Sequence, residues 1–370
     1  MILQGDNMQI MPQLEAGSFN TCVTSPPYWG LRDYGIPPTV WPEATYTPMP
    51  GLPLITVPAW TGCLGLEPTP EMFVAHSVLV FREVWRLLRT DGTLWLNYGD
   101  SYFGTGGDRK DSGPGPNSCV GATADAAAPR DGRVARHKQL VKSGLKPKDL
   151  IGIPWRVAFA LQADGWYLRM DNIWSKPNPM PESVTDRPTK AHEYFFLLSK
   201  SERYYFDNEA IKEQLADTSI TRLSQDLEGQ QGSDRANGGT KTNGPMKAVS
   251  KAYSFARKVN EGDIPGQPKQ HREDREDIEY SESRNKRSVW TVATAQFKEA
   301  HFATFPEKLI EPCILAGAPV GGRVLDPFGG SGTTRKVSLE NNRECTIIEI
   351  GPQYVEIAKR RTAIIQQQLF

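Results

Sequence analysis

Apolar residues along the chain alternate between two spacings, which predict helices separated by short buried strands. Residues 70–89 repeat apolar side chains at the three- and four-residue spacing of one helix face. An Asp91-Gly92 step then predicts a turn. Short runs rich in β-branched and aromatic residues predict strands at 19–23, 93–98, 167–174 and 192–199. Helix, turn and strand in this order are typical of a mainly parallel α/β sheet.

The same alternation continues after residue 150. Helical spacing predicts helices at 151–164, 306–316, 333–340 and 354–367, and short apolar runs predict strands at 324–326 and 345–349. The C-terminal part of the chain therefore looks like consecutive βα units.

Three stretches interrupt this pattern. Residues 36–62 are rich in proline and aromatic residues and predict an ordered surface insertion, whereas residues 104–148 predict a flexible loop that ends in a basic run. Residues 206–286 are polar and contain several Gly-Gly, Asn-Gly and Pro-Gly steps. We therefore expect three regions, at 1–205, 206–286 and 287–370.

Composition narrows the class of protein. The 43 basic and 43 acidic residues give a formal net charge of zero, so a nucleic acid would have to be held by local basic patches. The five cysteines form no C-x-x-C pair, which argues against a zinc site or a disulfide framework and predicts no bound metal. No apolar run is long enough for a membrane span, so we expect a soluble, cytoplasmic protein.

A glycine loop follows the predicted strand that ends at Asp326. The residues Gly329-Gly330-Ser331-Gly332 lead into a helix, so the backbone can approach a ligand closely and offer free N–H groups. Glu349 ends the next strand, where an acid can accept hydrogen bonds from ribose hydroxyls. The loop has neither G-x-G-x-x-G nor the Gly-Lys-Ser/Thr of a P-loop. It therefore predicts a nucleotide-like cofactor of another kind.

Ser25-Pro26-Pro27-Tyr28 follows the first predicted strand. An exocyclic amine of a base is a poor nucleophile, and oxygens that accept its N–H groups can aim its lone pair. The Ser25 hydroxyl and the Pro26 carbonyl could do this, with Pro26-Pro27 keeping the geometry fixed. Tyr28 could stack on a base that has left the duplex. Alone, these residues are typical of an extended turn; the glycine loop favours the catalytic interpretation.

Both motifs resemble those of S-adenosylmethionine-dependent amino-methyltransferases of DNA. Residues 326–332 resemble the F-x-G-x-G motif, and residues 25–28 resemble the D/N/S-P-P-Y/F motif. The catalytic motif comes first, which is the order of the β class. The resemblance extends over roughly residues 1–205 and 286–370. It implies an α/β, Rossmann-like methyltransferase core with a mainly parallel sheet, a permuted motif order and an inserted target-recognition region at 206–286.

The resemblance also implies the residues of the site. Catalysis would fall to Ser25, Pro26, Pro27 and Tyr28. The cofactor S-adenosyl-L-methionine would be held by Asp6, Thr24, Phe305, Lys308, Asp326, Phe328, Gly330, Gly332, Thr333 and Glu349. Ordinary core packing is an alternative for the two phenylalanines, and a turn cap is an alternative for Asp6.

The substrate implied by the resemblance is double-stranded DNA. Serine before Pro-Pro-Tyr is commoner among cytosine-N4 enzymes, so Ser25 favours N4 of cytosine, with N6 of adenine as the alternative. Phosphates could be tracked by Arg130, Arg133, Arg136, Lys138 and Lys142, although a solvated surface loop would show the same run. The resemblance leaves open whether the protein forms a homodimer or works beside a cognate restriction endonuclease.

Other functions compete with this interpretation. A cytosine-C5 methyltransferase needs a nucleophilic cysteine, but Pro312-Cys313 lies inside a predicted helix, where a core cysteine is the better account. An RNA or protein-glutamine methyltransferase could share the cofactor site. A non-enzymatic DNA-binding module would leave the paired motifs unexplained.

Overall fold

The computed structural model describes residues 1–30, 35–103, 144–215, 283–294 and 305–368. The chain divides into two compact units, Met1–Ile211 with Arg287–Phe370, and Lys212–Lys286. The strands are β1 Ile2–Gln4, β2 Phe19–Thr24, β3 Thr39–Trp41, β4 Ala44–Tyr46, β5 Ile55–Val57, β6 Trp60–Gly62, β7 Leu88–Tyr98, β8 Tyr167–Ser175, β9 His192–Ser199, β10 Glu213–Gln214, β11 Ser283–Arg284, β12 Val289–Thr291, β13 Arg323–Asp326 and β14 Glu344–Glu349. The helices are α1 Asn7–Ile10, α2 Pro70–Leu87, α3 Ile153–Ala163, α4 Glu307–Gly317, α5 Thr333–Glu340 and α6 Pro352–Gln368.

One sheet organises the first unit. In the described residues it has eight strands in the order β1-β14-β13-β2-β7-β9-β8-β12. Pairing is parallel from β1 through β7, β9 is antiparallel to both of its neighbours, and β12 is parallel to β8. This arrangement confirms the predicted α/β fold with a mainly parallel sheet.

Helices cover both faces of the sheet, so consecutive strand residues enter different cores. One core includes α2 and α3 and the strand residues Cys22, Leu94, Phe196 and Leu325. The other includes α4, α5 and α6 and the strand residues Val23, Trp95, Phe195 and Val324. Each such buried side chain contributes about 1.5–3 kcal/mol to folding. A sheet covered on both faces explains why its strands appear in the sequence as nearly continuous apolar runs.

The Asp91-Gly92 step is a strand irregularity and not the turn that the sequence predicts. Strand β7 begins at Leu88 and runs through both residues. Its register with β2 moves from Phe19↔Leu88 to Thr21↔Thr93, so β7 carries extra residues at this point. A Cβ at Gly92 would lie 3.2 Å from the carbonyl oxygen of Asn20. Glycine is therefore needed for close backbone approach inside a bulged strand.

The insertion at 36–62 forms two short hairpin-like pairs. β3 pairs antiparallel with β6, and β4 pairs antiparallel with β5. Trp41, Ala44, Tyr46 and Val57 are buried against the core that contains α2. The insertion thus forms paired strands and contributes to the core.

In the second unit, β10 pairs antiparallel with β11. Most of the predicted target-recognition region and of the flexible loop lies outside the described residues. Its role in target recognition therefore stays a prediction. None of the helices in the described parts of the chain is long and apolar enough to cross a membrane.

Candidate active site

Three neighbouring parallel strands bring the two motifs together. β2, β13 and β14 are adjacent, and their carboxyl ends meet at the same edge of the sheet. The proline turn follows β2, the glycine loop follows β13, and Glu349 ends β14. In open α/β sheets this edge is where ligands bind.

Asp326 joins the two halves of the site directly. Its side chain is buried, and its Oδ1 accepts hydrogen bonds from Thr24 Oγ1 at 2.7 Å and from the Phe328 N–H at 3.0 Å. Its Oδ2 accepts from Thr334 Oγ1 at 2.6 Å. Burial raises the pKa of Asp326, and these hydrogen bonds partly offset the effect. Both oxygens are thus used inside the protein, and the cofactor contacts expected of Asp326 and Thr24 stay predictions.

The glycines of the loop differ in what surrounds them. A Cβ at Gly329 would lie 2.7 Å from Ile347 Cβ, and one at Gly332 would lie 2.7 Å from Ala358 Cβ of α6. Among the described residues, apart from its chain neighbours, a Cβ at Gly330 would come no closer than 4.0 Å to any atom, at the Phe328 carbonyl oxygen. Gly330 and Gly332 both have positive φ, of +49° and +78°. Gly332 is therefore required by packing, whereas Gly330 leaves open space above the loop.

We expect Gly330→Ala and Gly332→Ala to fail in different ways. A methyl group at Gly330 projects into open space, so the variant should lose only about 1 kcal/mol of stability from its positive φ. It should bind the cofactor about tenfold more weakly, because the methyl group occupies the approach to the loop. Gly332→Ala should lose about 3 kcal/mol of stability, because the methyl group collides with α6. Calorimetry and denaturant unfolding separate the two effects; equal loss of stability in both variants would contradict this division.

Glu349 holds the loop from the neighbouring strand. Its Oε2 accepts from the Gly330 N–H at 2.8 Å, and its Oε1 accepts from the Gly351 N–H at 2.7 Å. Burial raises the pKa of Glu349, and the two backbone N–H groups oppose that shift. A carboxylate has about four acceptor positions, so capacity for ribose hydroxyls remains.

The N-terminal strand reaches the same place. β1 pairs parallel with β14, and the Gly5 N–H donates to the Glu349 carbonyl at 2.9 Å. Asp6 caps α1 by accepting from the Met8 N–H at 2.8 Å, and it also accepts from Thr39 Oγ1 at 2.8 Å. Asp6 therefore has a capping role beside the site, and a cofactor contact remains a prediction.

A charged network centred on Arg361 of α6 supports the glycine loop. The Arg361 guanidinium donates to the Ser331 carbonyl at 2.9 Å and to Thr333 Oγ1 at 3.0 Å. The same group pairs with Glu307 at 3.0 Å, at the start of α4. These contacts fix the loop where it enters α5. Sequence reasoning assigned Thr333 to the cofactor and did not identify Arg361.

The aromatic and basic candidates of the cofactor site lie around this loop. Phe305 is partly buried against the core that contains α4, and Phe328 is partly buried against the core that contains α2. Lys308 is exposed in the first turn of α4. Their contacts with a cofactor stay predictions.

The proline turn places two hydroxyl groups side by side. Ser25 Oγ lies 3.2 Å from Asn97 Oδ1 and 3.4 Å from the Tyr28 hydroxyl oxygen. The Tyr28 hydroxyl lies 2.7 Å from Glu193 Oε2 and 2.9 Å from Asn97 Oδ1. A Cβ at Gly99 would lie 2.6 Å from the Tyr28 ring, so only glycine leaves room for that ring. Pro26 and Pro27 connect these groups without any regular structure of their own.

Sequence reasoning missed Asn97 and Glu193. Asn97 lies near the end of β7, next to β2, and Glu193 lies near the start of β9. Glu193 forms an ion pair with Lys176, which follows β8. The sequence does contain one indication of Asn97. It is a polar residue near the end of an otherwise apolar strand, and such positions often belong to a site at the sheet edge.

A buried pair supports the proline turn from behind. Glu67 and His76 are both fully buried, with Glu67 Oε1 3.0 Å from His76 Nδ1. Glu67 Oε2 accepts from the Gly65 N–H at 2.8 Å, and the Gly65 carbonyl accepts from the Gly30 N–H at 2.8 Å. Burial raises the pKa of Glu67, while the contact with His76 lowers it. The His76 ring stacks on Trp41 of the insertion at 4.4 Å between centroids.

The predicted DNA-binding residues are not described by the structure. Arg130, Arg133, Arg136, Lys138 and Lys142 all lie within residues 104–143, outside the described ranges. Their contacts with phosphates stay a prediction. Cys313 lies buried in α4, as expected for a core cysteine.

Comparison with known proteins gives one consistent result. The family model described as DNA methylase, of the N6/N4 type, matches residues 19–360. The chain is 39% identical to the type II methyltransferase M.Cfr9I of Citrobacter freundii, over 97% of this chain and 86% of that protein. It is 37% identical to the type II methyltransferase M.SmaI of Serratia marcescens, over 97% of this chain and 89% of that protein.

A solved structure shares the fold. The cytosine-N4-specific PvuII DNA methyltransferase matches with a TM-score of 0.53 and 15% sequence identity, over 100% of this chain and 92% of that chain. At this identity the likeness supports the fold alone. It agrees with the Rossmann-like core that the sequence predicts.

Proposed function

Since the chain belongs to the family of N6/N4 DNA methylases, we propose that it methylates the exocyclic N4 amine of cytosine in DNA, with S-adenosylmethionine as its methyl donor. The observation that carries the proposal is Ser25, held beside Tyr28 and Asn97 at the edge of the sheet where the glycine loop also lies. A base-binding turn and a cofactor loop that follow neighbouring strands support a reaction between two substrates bound side by side.

The residues of the loop suit this cofactor. S-adenosylmethionine, when bound, supplies a methyl group on a positively charged sulfur that a nucleophile can attack. Gly330 leaves its side of the loop open, and Glu349 retains acceptor capacity for ribose hydroxyls. Phe328 and Phe305 are partly buried aromatic rings, which tolerate a neighbouring cation.

The proline turn orients the amine. The Ser25 hydroxyl and the Pro26 carbonyl accept its two N–H hydrogens and aim the nitrogen lone pair at the methyl group. The Tyr28 ring offers a face on which a base flipped out of the duplex can stack. No covalent bond between protein and base is required. Positioning of a weak nucleophile therefore accounts for the chemistry.

The choice of cytosine depends on Ser25. Serine before Pro-Pro-Tyr resembles the pattern that is commoner among cytosine-N4 enzymes. Adenine N6 remains the second candidate, because adenine presents the same pair of N–H donors beside a ring nitrogen acceptor. The type II methyltransferases among its relatives support a role in modifying specific DNA sites.

Nucleoside analysis tests the proposal. The protein is incubated with unmethylated DNA and S-adenosylmethionine, and the DNA is digested and examined by mass spectrometry. We expect N4-methylcytosine. N6-methyladenine would keep the mechanism and replace the base, whereas no methylated nucleoside despite demonstrated cofactor binding would overturn the proposal. A reaction without added S-adenosylmethionine gives the background.

A further inference from the structure

The Ser25 hydroxyl can either donate or accept a hydrogen bond, and the proposed reaction needs it to accept one. An exocyclic amine presents N–H groups, so a Ser25 hydrogen pointed toward it would repel it. The neighbours of Ser25 must therefore fix where its own hydrogen goes. This inference rests on the proposed function and concerns how its site is set up.

Asn97 presents only its carbonyl oxygen to Ser25. The Asn97 Nδ2 atom lies 3.0 Å from the Tyr194 carbonyl oxygen and 3.2 Å from Glu193 Oε2, and a carbonyl and a carboxylate can only accept. A rotated amide would place its oxygen against both acceptors. The amide is thus held in one orientation, with Oδ1 facing Ser25 Oγ at 3.2 Å.

Glu193 also controls the hydrogen of Tyr28. Tyr28 has one hydroxyl hydrogen and two close acceptors for it, Glu193 Oε2 at 2.7 Å and Asn97 Oδ1 at 2.9 Å. A bond to a carboxylate is stronger than one to a neutral acceptor, so this hydrogen points away from Ser25. Lys176 pairs with the other oxygen, Oε1, and holds the carboxylate in place. Tyr28, like Asn97, then presents Ser25 with an acceptor.

We propose that Glu193 is a positioning residue that sets the direction of hydrogen bonding at Ser25. Through Asn97 and Tyr28 it presents the Ser25 hydrogen with acceptors, and these two are the side-chain partners of Ser25 Oγ in the described parts of the chain. The lone pairs of Ser25 Oγ therefore face the target amine. The hydroxyl is committed to accepting before the base arrives, so no reorientation is needed during the reaction.

Glu193→Gln tests this inference with almost no change of shape. The new amide can donate where the carboxylate only accepts, so Asn97 and Tyr28 lose their fixed orientations. We expect the turnover number on saturating DNA to fall about 30-fold, with unchanged cofactor affinity by calorimetry. The unfolding temperature should fall as well, because Lys176 loses its largely buried partner. The matched control is Glu202→Gln, which should keep full activity. Glu202 is an exposed glutamate that follows β9, the strand of Glu193.

The same Glu193→Gln substitution in a Ser25→Asp protein shows whether Glu193 sets the direction of the hydrogen bond or has a merely structural role. In Ser25→Asp the side chain can only accept, so it does not depend on Glu193 for its direction. Adding Glu193→Gln to Ser25→Asp should then lower turnover less than threefold, by about the size of an ordinary neighbouring change. An equal 30-fold loss in both backgrounds would overturn the proposal. Complete inactivity of Ser25→Asp would overturn it as well, because an acceptor would then not replace the serine.

Failure of this inference is distinct from failure of the proposed function. If the unaltered protein methylates no base in DNA, the proposed function is wrong. If it does, and Glu193→Gln has the same turnover as Glu202→Gln, only the role of Glu193 is wrong.

Discussion

Replacing Ser25 with alanine is expected to lower methyl transfer by about 10³-fold, because the target amine loses a preorganised acceptor at the reacting atom. Cofactor affinity should not change, since the glycine loop follows β13 and Glu349 ends β14, whereas Ser25 belongs to the proline turn after β2. Single-turnover methylation of DNA and calorimetric titration of S-adenosylmethionine measure the two quantities. Stability should also be preserved, because the contacts of Ser25 Oγ with described residues are long, at 3.2 Å and 3.4 Å.

Ser199→Ala is the matched control for that loss. Ser199 is a buried serine at the other end of β9 from Glu193, and its hydroxyl donates to the Ser201 carbonyl at 2.8 Å. The Ser199→Ala substitution therefore removes a serine hydroxyl that is not part of the site. A similar loss of activity in both variants, or normal turnover in Ser25→Ala, would remove Ser25 from the reaction.

Replacing Asp326 with alanine is expected to lower the free energy of unfolding by about 4 kcal/mol. The substitution leaves the hydroxyls of Thr24 and Thr334 and the Phe328 N–H without their buried acceptor. It also cuts the link between the ends of β2 and β13. Denaturant unfolding followed by circular dichroism measures the change. We expect the stability effect to dominate any effect on cofactor affinity.

Two further variants provide comparisons for the stability of Asp326→Ala. Asp326→Asn keeps one acceptor oxygen and nearly the same shape, so it should lose about half as much stability. Asp91→Ala removes a carboxylate from a half-exposed pair with Arg89, where surface ion pairs contribute about 0–1 kcal/mol. If Asp326→Ala were as stable as Asp91→Ala but failed to bind the cofactor, Asp326 would be a ligand contact and not a structural link.

The motifs that follow strands β2 and β13 could be predicted from sequence. A glycine loop between a strand and a helix, with an acid ending the next strand, constrains the backbone so strongly that the pattern itself indicates the site. The proline turn is likewise local, since consecutive prolines cannot continue a central strand. The structure places both at one sheet edge, as the parallel order requires.

The supporting residues could not be predicted in the same way. Glu193 reaches the site only because β9 runs antiparallel to β7, which places the start of β9 at the carboxyl edge of its neighbours. Spacing of apolar residues carries no information on strand direction. His76 likewise looks like one more residue on the buried face of α2, and its pairing with Glu67 depends on how a distant loop packs. Asp91-Gly92 has turn chemistry locally, but tertiary pairing makes it a bulge.

The bond between Thr24 and Asp326 spans 302 residues of chain, which has a consequence for how the protein is made. Strand β2 leaves the ribosome long before β13, the strand that lies between β2 and β14, has been synthesised. At roughly 5–20 residues per second, the interval lasts roughly 15–60 s. During that time one edge of β2 has no partner and can pair with other chains. The nascent protein therefore needs protection along that edge, and it can modify DNA only once nearly all of it has been translated.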